Sequence, residues 1–402
     1  MTILRDARPE DELLLACART AADAETAGRI GALLRQRLDW SYVLRMAQRH
    51  AVVALLYGQL HGAEAGLVPA DVLLAIKEAY RAGAQQSLGL TGELLRLLDL
   101  FADHGVGAIP LKGPAVAAMA YGSPGLRRFV DLDILVRRED VLRAKALLLA
   151  HGYRSDLPVA ERHEQIYLRT HYVYEFERDD GTVRLELHYR LRPRYFAFGL
   201  DAAQLWDRLE PIAIAGREVR GLSAEDTLLF LCAHGANHWW ERLSWICDLA
   251  ELIRRRPQLD WETVQRRAQA LGGERMLLLG LLLARDLLGA PIPATIGLRV
   301  RADRVIVSLA RQVRARLFLE PEHGPGLFAG ALFHLRARER RRDRLRYCLR
   351  LATVTTAEDW ALLPLPASLS FVYSVIRPFR LVGAYGLRPL RRSHARAAGN
   401  QT

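Results

Sequence analysis

The sequence predicts an α+β fold, in which a small mixed β-sheet backed by helices lies between helical N-terminal and C-terminal regions. Helical periodicity dominates the first quarter of the chain, shorter alternating elements follow it, and helical patterns then continue almost to the end. These changes divide the chain into a helical N-terminal region (1–98), an α/β core (99–222) and a helical C-terminal region with a basic tail (223–402). The 402 residues, 50% of them hydrophobic, are enough to bury a large core.

The first half of the core contains a strand, a helix and a second strand. The apolar run at 106–111 predicts the first strand. A helix then starts at Pro114, because proline is favoured in the first turn of a helix, and ends near Gly122. The alternating stretch 130–136 predicts the second strand, which carries two aspartates.

The second half of the core contains a helix and a hairpin. Helical periodicity over 139–150 ends at Gly152, a residue that commonly closes a helix. Two strands follow at 171–178 and 182–189, and Asp179-Asp180-Gly181 between them predicts a tight turn. This order of elements is typical of a small mixed sheet with helices packed on it.

Two aspartates on the second strand are candidate metal ligands. Period-2 alternation places Asp131 and Asp133 on one side of the strand, and Val130, Leu132 and Ile134 on the other. Two like charges about 7 Å apart on one face are costly unless a cation lies between them. Mg²⁺ prefers such oxygen ligands and also binds nucleotide phosphates. A solvated pair on a strand edge is the alternative interpretation.

A third carboxylate follows the same plan on the last strand of the hairpin. Apolar and polar residues alternate there: Val183, Leu185 and Leu187 against Arg184, Glu186 and His188. The pattern places Glu186 on the polar face of the strand. His188 shares that face, where it could orient a metal ligand or a substrate, or serve as a hydrogen-bonded structural histidine.

A glycine, then Asp-x-Asp, then an acidic residue on a later strand resembles the nucleotidyltransferase superfamily typified by DNA polymerase beta. The chain more narrowly resembles the bacterial family called uncharacterised nucleotidyltransferases, over roughly residues 35 to 255. The segments that carry this resemblance are Leu111-Lys112-Gly113, Leu126-Arg127, Asp131-Leu132-Asp133-Ile134-Leu135-Val136, His151-Gly152-Tyr153, Leu185-Glu186-Leu187-His188 and His238 to Asp248.

The resemblance implies an enzyme that moves a nucleoside monophosphate from ATP or another NTP to a hydroxyl or phosphate acceptor. It implies that Asp131 and Asp133 bind one or two Mg²⁺ (or Mn²⁺) ions, while Glu186 completes the metal site and helps to activate the acceptor hydroxyl. Gly113 would let the backbone approach the phosphates.

The sequence departs from the superfamily pattern at two points. Pro114 stands where a small hydroxyl residue usually follows the glycine, and the gap to Asp131 is longer than usual. Without that hydroxyl, Lys112 and Arg127 become the expected phosphate contacts. The alternatives are a surface charge for Lys112 and structural neutralisation of the aspartates for Arg127. A non-catalytic nucleotide-binding or sensing protein that keeps the fold is the competing interpretation, although three retained acids argue for catalysis.

The segment from His234 to Asp248 is a further candidate for function. His234 and His238 are four residues apart, a spacing that places two zinc ligands on one helix face. The glutamate of the zinc-protease motif is missing, however, and Gly235 weakens a helix there. We therefore interpret His238, Arg242 and Asp248 as cleft residues near the base or acceptor, or as a buried polar network that ties helices together.

The net charge of +12 bears on the acceptor. Residues 336–350 hold eight arginines against two acids, and six arginines with no acid follow Asp359. Such clusters suit nucleic acid or anionic lipid, but they are also common solvated faces. Because few aromatic residues interleave with the arginines, a small-molecule or peptide acceptor is favoured, and a tRNA end stays open as an alternative.

Other features predict an ordinary cytoplasmic protein. The N-terminus lacks an apolar leader segment, and the four cysteines lack metal-ligand spacing and suggest no disulfide framework. The longest uncharged apolar run, 360–376, is interrupted by Pro364 and Pro366 and is too short to predict a membrane span.

Overall fold

The computed structural model confirms the α+β fold. It describes residues 8–62, 66–155, 164, 167–169, 171–192, 196, 202–319, 327–353 and 371–381. The predicted basic tail after residue 381 and part of the apolar run before residue 371 lie outside these described residues. The division into three regions stays a prediction.

Helices make up most of the described chain. The first five are α1 (Pro9–Cys17), α2 (Ala24–Leu34), α3 (Trp40–Arg49), α4 (Val53–Leu60) and α5 (Ala70–Asp103). Those interspersed with the strands are α6 (Pro114–Val116, continued by a π-helical turn at Ala117–Tyr121), α7 (Val141–Ala150) and α8 (Ala202–Trp206). The rest are α9 (Ala224–Asn237), α10 (Leu243–Arg255), α11 (Trp261–Leu271), α12 (Glu274–Leu288), α13 (Ala294–Ala302), α14 (Arg304–Leu317), α15 (Leu327–Arg336), α16 (Arg341–Thr353) and α17 (Phe371–Leu381).

Five strands form the mixed sheet: β1 (Ala108–Pro110), β2 (Leu132–Val136), β3 (Tyr153–Ser155), β4 (Val173–Arg178) and β5 (Arg184–His188). They lie in the order β1-β2-β5-β4-β3. β2 and β5 are parallel, whereas the other neighbours are antiparallel. The predicted hairpin is confirmed as β4 and β5, joined through Gly181, whose φ of +71° glycine adopts without strain.

A second hairpin is absent from the sequence-based prediction. It consists of β6 (Glu210–Ile214) and β7 (Arg217–Gly221), which pair antiparallel. Its two turn residues, Ala215 and Gly216, both have positive φ, +49° and +81°. That conformation is typical of a two-residue hairpin turn, but alanine at the first position conceals the usual turn signal.

The two faces of the sheet differ in character. The main hydrophobic core takes alternate residues of the central strands: Leu132, Ile134, Val136, Leu185 and Leu187. The opposite face carries Asp133, Glu186 and His188, together with a smaller apolar cluster that includes Leu135 and Phe230. The strand was predicted to begin at Val130, but β2 begins at Leu132, so Val130 and Asp131 both precede it, and Val130 is 47% exposed.

The helices pack around this sheet in one continuous core that includes α1, α5, α10 and α12. α10 packs against the π-helical turn that follows α6, and this contact places helix residues beside the polar face of the sheet. The four cysteines are free thiols, of which only Cys348 is exposed. Across the part of the chain that the structure describes, no helix has the length and apolar composition that a membrane crossing requires.

Candidate functional site

The parallel pairing of β2 and β5 brings the acidic residues together. Asp133 lies directly beside Glu186, and Leu135 beside His188. The His188 Nε2 atom lies 3.1 Å from Asp133 Oδ1 and 3.0 Å from Glu186 Oε2. Among the described residues, one atom each from Asp133, Glu186 and His188 forms a group within 4.8 Å that could hold a metal ion.

Lys112 reaches this acidic cluster from the end of β1. The Leu111 N–H donates a hydrogen bond of 2.9 Å to the carbonyl oxygen of Asp133, so the pairing of β1 with β2 continues beyond Pro110. Gly113 then turns the chain with a φ of +53°, a value that favours glycine. As a result, the Lys112 Nζ atom lies 2.7 Å from Asp133 Oδ1.

Lys112 and His188 set the charge of Asp133. Burial alone would raise the pKa of Asp133, but the Lys112 ammonium and the His188 hydrogen bond outweigh it and hold this pKa well below its usual range. Burial would likewise lower the pKa of Lys112 and of His188, yet the neighbouring carboxylates raise both. The cluster therefore holds an ionised Asp133 between two hydrogen-bond donors.

Asp131 lies at the edge of the cluster. It precedes β2, is partly buried, and is not a member of the three-residue group. Burial raises the pKa of Asp131, and the charges of Asp133 and Glu186 raise it further, against the opposing charge of Lys112. The ionised form of Asp131 is thus disfavoured, and a further cation nearby would stabilise it.

The residues present fit a divalent cation. Asp133 Oδ2 and His188 Nδ1 are buried and have no hydrogen-bond partner. A buried carboxylate oxygen without a partner is costly, and a cation would satisfy it. Carboxylate oxygens suit Mg²⁺ and Mn²⁺, and one imidazole nitrogen is compatible with Mn²⁺.

Arg127 and Asp248 lie together in a buried ion pair. The Arg127 Nε and Nη2 atoms each donate a hydrogen bond of 2.8 Å to a different oxygen of Asp248, and the Tyr121 hydroxyl donates another of 2.8 Å. Asp248 is 0% exposed and Arg127 is 9% exposed. The pair joins α10 to the segment that leads into β2. Arg127 was expected to contact phosphate, but in this structure its Nε and Nη2 atoms donate to Asp248.

His234, His238 and Arg192 form a second group near Lys112. The rings of His234 and His238 are 4.7 Å apart, and Trp245 packs against both. Burial, followed by the charges of Arg192 and Lys112, lowers the pKa of His238 to about 4. Burial lowers the pKa of His234 well below its usual value, with the same two cations contributing. Both imidazoles are therefore neutral at physiological pH.

Arg192 was missed by the sequence analysis. Its guanidinium lies over the Phe230 ring at 4.9 Å, and the residue is 8% exposed. The only available signal was its position just beyond the strand that carries Glu186 and His188. The sequence drew attention to His234 only through its spacing from His238. In the structure, His234 lies in the last turn of α9 and His238 is the C-capping residue of that helix.

The fold and the acidic cluster define an α+β protein with a candidate metal site, and a comparison with protein-family models identifies its family. The model described as uncharacterised nucleotidyltransferase matches residues 36–289, which is well over half of the chain. The chain therefore belongs to the uncharacterised nucleotidyltransferase family, and this membership supports a general role in nucleotidyl transfer. No curated protein and no solved structure matches the chain.

Proposed function

We propose that this protein is a Mg²⁺-dependent or Mn²⁺-dependent nucleotidyltransferase that moves a nucleoside monophosphate from ATP or another NTP to a hydroxyl or phosphate acceptor. The observation that carries the proposal is the juxtaposition of Asp133 and Glu186 on parallel strands, with Lys112 in contact with Asp133. The match to a nucleotidyltransferase family and the resemblance to the DNA polymerase beta superfamily support the same conclusion.

In this proposal Asp133, Glu186 and Asp131 hold the metal, with His188 as a further ligand or as the residue that orients the carboxylates. The bound ion supplies positive charge that neutralises the triphosphate and the departing pyrophosphate. Asp133 supplies an unpartnered buried oxygen. Asp131 supplies a carboxylate whose pKa is raised first by burial and then by the charges of Asp133 and Glu186.

Lys112 and Arg192 are the proposed phosphate contacts of this chain. Both act electrostatically on His234 and His238, and Lys112 also contacts Asp133 of the acidic cluster. Arg127 and Asp248 take a structural role instead, because each engages the other through two hydrogen bonds. His238 stays a candidate contact for the base or the acceptor, since its neutral ring can accept a hydrogen bond or stack.

Glu186 is the proposed proton acceptor. The acceptor oxygen attacks the α-phosphorus, the bond from that phosphorus to the bridging oxygen breaks, and pyrophosphate leaves with the electron pair. The hydroxyl proton passes to the Glu186 carboxylate. This side chain is 32% exposed, whereas that of Asp133 is 1% exposed, so an acceptor approaching from solvent meets Glu186 first.

The acceptor is proposed to be a small molecule or a peptide, and ATP is the first donor to test. A tRNA end is the alternative acceptor. A non-catalytic nucleotide sensor would keep the fold without transfer, and the closely placed acidic residues argue against it because like charges are retained at an energetic cost.

A labelling experiment tests the proposal. The protein is incubated with each NTP, labelled either at the α- or at the γ-phosphate, with Mg²⁺ or Mn²⁺ and a metabolite and peptide mixture. Nucleotidyl transfer predicts that the α-label appears on an acceptor while the γ-label appears in pyrophosphate. Glu186→Gln should abolish the signal. Glu177→Gln is the matched control, because the Glu177 side chain is 31% exposed on the neighbouring strand and lies outside the cluster.

A further inference from the structure

We propose that Lys112 is a built-in counter-cation for Asp133, which a divalent ion must displace, so that the site takes up metal together with nucleotide rather than metal alone. The inference rests on the proposed function, namely that the acidic cluster holds a divalent cation. It adds a positioning role for Lys112 that alternates between two partners, the carboxylate in the empty site and the triphosphate in the loaded one.

The geometry of Asp133 carries the inference. Lys112 Nζ at 2.7 Å and His188 Nε2 at 3.1 Å both contact the same oxygen, Oδ1. The other oxygen, Oδ2, is buried without a hydrogen-bond partner. The Lys112 ammonium thus contacts the carboxylate that a metal ion would bind, but it contacts only one of the two carboxylate oxygens. Such an arrangement neutralises the charge of Asp133 but leaves its Oδ2 atom without a hydrogen-bond partner.

Charge balance explains why the ammonium is needed in the empty site. Asp131, Asp133 and Glu186 all act electrostatically on Lys112, so one lysine faces three acids. A divalent ion among these acids would meet the positive charge of Lys112 at close range, and like charges repel strongly where solvent is scarce. Metal binding alone therefore has to move the lysine away from Asp133.

A triphosphate resolves this conflict because it offers the displaced ammonium new anionic oxygens. Lys112 is suited to such a change, since its ammonium is a point charge on a flexible stem, whereas Arg127 is held in place by two hydrogen bonds to Asp248. Metal and nucleotide then favour each other's binding, and this coupling is reciprocal.

Calorimetric titration with Mn²⁺ alone tests the first half of the inference. Lys112→Met and Lys112→Gln should bind Mn²⁺ roughly tenfold more tightly than the wild type, because a repelling charge is gone. Lys112→Arg keeps the charge and should bind Mn²⁺ with the wild-type affinity. Lys145→Met is the matched control, because the Lys145 Nζ atom also contacts a carboxylate, Glu164, at 2.8 Å, but away from the cluster.

Titration with a non-hydrolysable ATP analogue at saturating Mn²⁺ tests the second half. Lys112→Met and Lys112→Gln should bind the analogue roughly tenfold more weakly, since the triphosphate loses one cationic contact. Opposite changes in the two affinities are the mark of a shared cation. A merely structural lysine would weaken both affinities or neither. Lys112→Gln keeps a hydrogen-bond donor near Asp133, so it provides a folded variant if Lys112→Met is unstable.

Three results would overturn the inference. Unchanged or weaker Mn²⁺ binding by both neutral variants would do so while leaving the metal site of the wild type intact. A tenfold gain in Lys145→Met as well would assign the effect to overall charge. Absence of Mn²⁺ binding in the wild type even when the ATP analogue is present, with Asp133→Asn indistinguishable from it, would overturn the proposed function along with the inference.

Discussion

Asp133 and Asp131 are two residues apart, yet their electrostatic environments are opposite. Asp133 is stabilised as an anion by Lys112 and His188, whereas Asp131 is destabilised by burial and by its acidic neighbours. Alternation along the strand predicted that the two aspartates share a face, but it could not distinguish them. The difference arises from Lys112, which approaches Asp133 through the pairing of β1 with β2.

This asymmetry predicts opposite stability effects in metal-free protein. Asp133→Asn should lower the free energy of unfolding by about 3 kcal/mol, because it leaves the Lys112 charge without its partner. Asp131→Asn should leave the free energy of unfolding unchanged or raise it by up to about 1 kcal/mol, because it removes repulsion and the cost of burying a charge. Urea denaturation in the presence of EDTA measures both. Equal destabilisation by the two variants would contradict the assigned environments.

At the scale of elements, the ion pair of Arg127 with Asp248 fastens α10 to the segment before β2. Arg127→Met should lower the free energy of unfolding by about 3 to 5 kcal/mol, because Asp248 would be left buried without its cation. Tyr121→Phe, which removes one hydrogen bond from the same carboxylate, should cost about 1 kcal/mol. Denaturant titration compares the two variants. An Arg127→Met protein of wild-type stability with weakened nucleotide binding would instead return Arg127 to the phosphate site.

The buried His50, which caps α3, should make the protein less stable in acid. It is 0% exposed, and its Nδ1 accepts the backbone N–H of Leu243 at the start of α10. Burial, with a smaller effect of Arg49, lowers the pKa of His50 from 6.5 to about 4. Between these values the unfolded chain binds a proton that the folded protein does not. The contribution of neutral His50 to the free energy of unfolding is therefore complete above pH 6.5. It falls by about 3 kcal/mol as the pH falls to 4.

His50→Asn tests this prediction, because asparagine can accept the same backbone hydrogen bond and does not titrate in this range. Denaturation at pH 7.5 and at pH 5 should show a smaller acid-induced loss for the variant than for the wild type. The same loss in both proteins would mean that other groups control the acid response.

The elements show what a single sequence can and cannot predict. Alternation and turn residues predicted β4, β5 and the position of Glu186 correctly, because these signals are local. The parallel pairing that sets Asp133 beside Glu186 joins segments distant in the chain, and no local pattern encodes which strands become neighbours. The same reason explains why Arg192 was not singled out and why the pairing of Arg127 with Asp248 was not predicted.

At the scale of the whole molecule, the excess of positive charge is the feature most open to test. Deletion of residues 387–402 removes four arginines: Arg388, Arg391, Arg392 and Arg396. If these arginines bound phosphates, each contact would make the slope of log K for tRNA binding against log salt concentration more negative by about 0.7 to 0.9. We expect the deletion to leave this dependence unchanged, because the arginines lack interleaved aromatic partners. Salt-sensitive tRNA binding that the deletion weakens would favour a nucleic-acid acceptor.

The central claim is that the cluster of Asp133, Glu186 and His188 binds a divalent ion together with a nucleoside triphosphate. Equilibrium dialysis with Mn²⁺ and a non-hydrolysable ATP analogue tests it most directly, with wild-type, Asp133→Asn and Glu177→Gln proteins side by side. We expect a bound Mn²⁺–nucleotide complex in the wild type and in Glu177→Gln, and its loss in a folded Asp133→Asn protein. Retention of the full complex by Asp133→Asn would show that the ion and the nucleotide bind elsewhere.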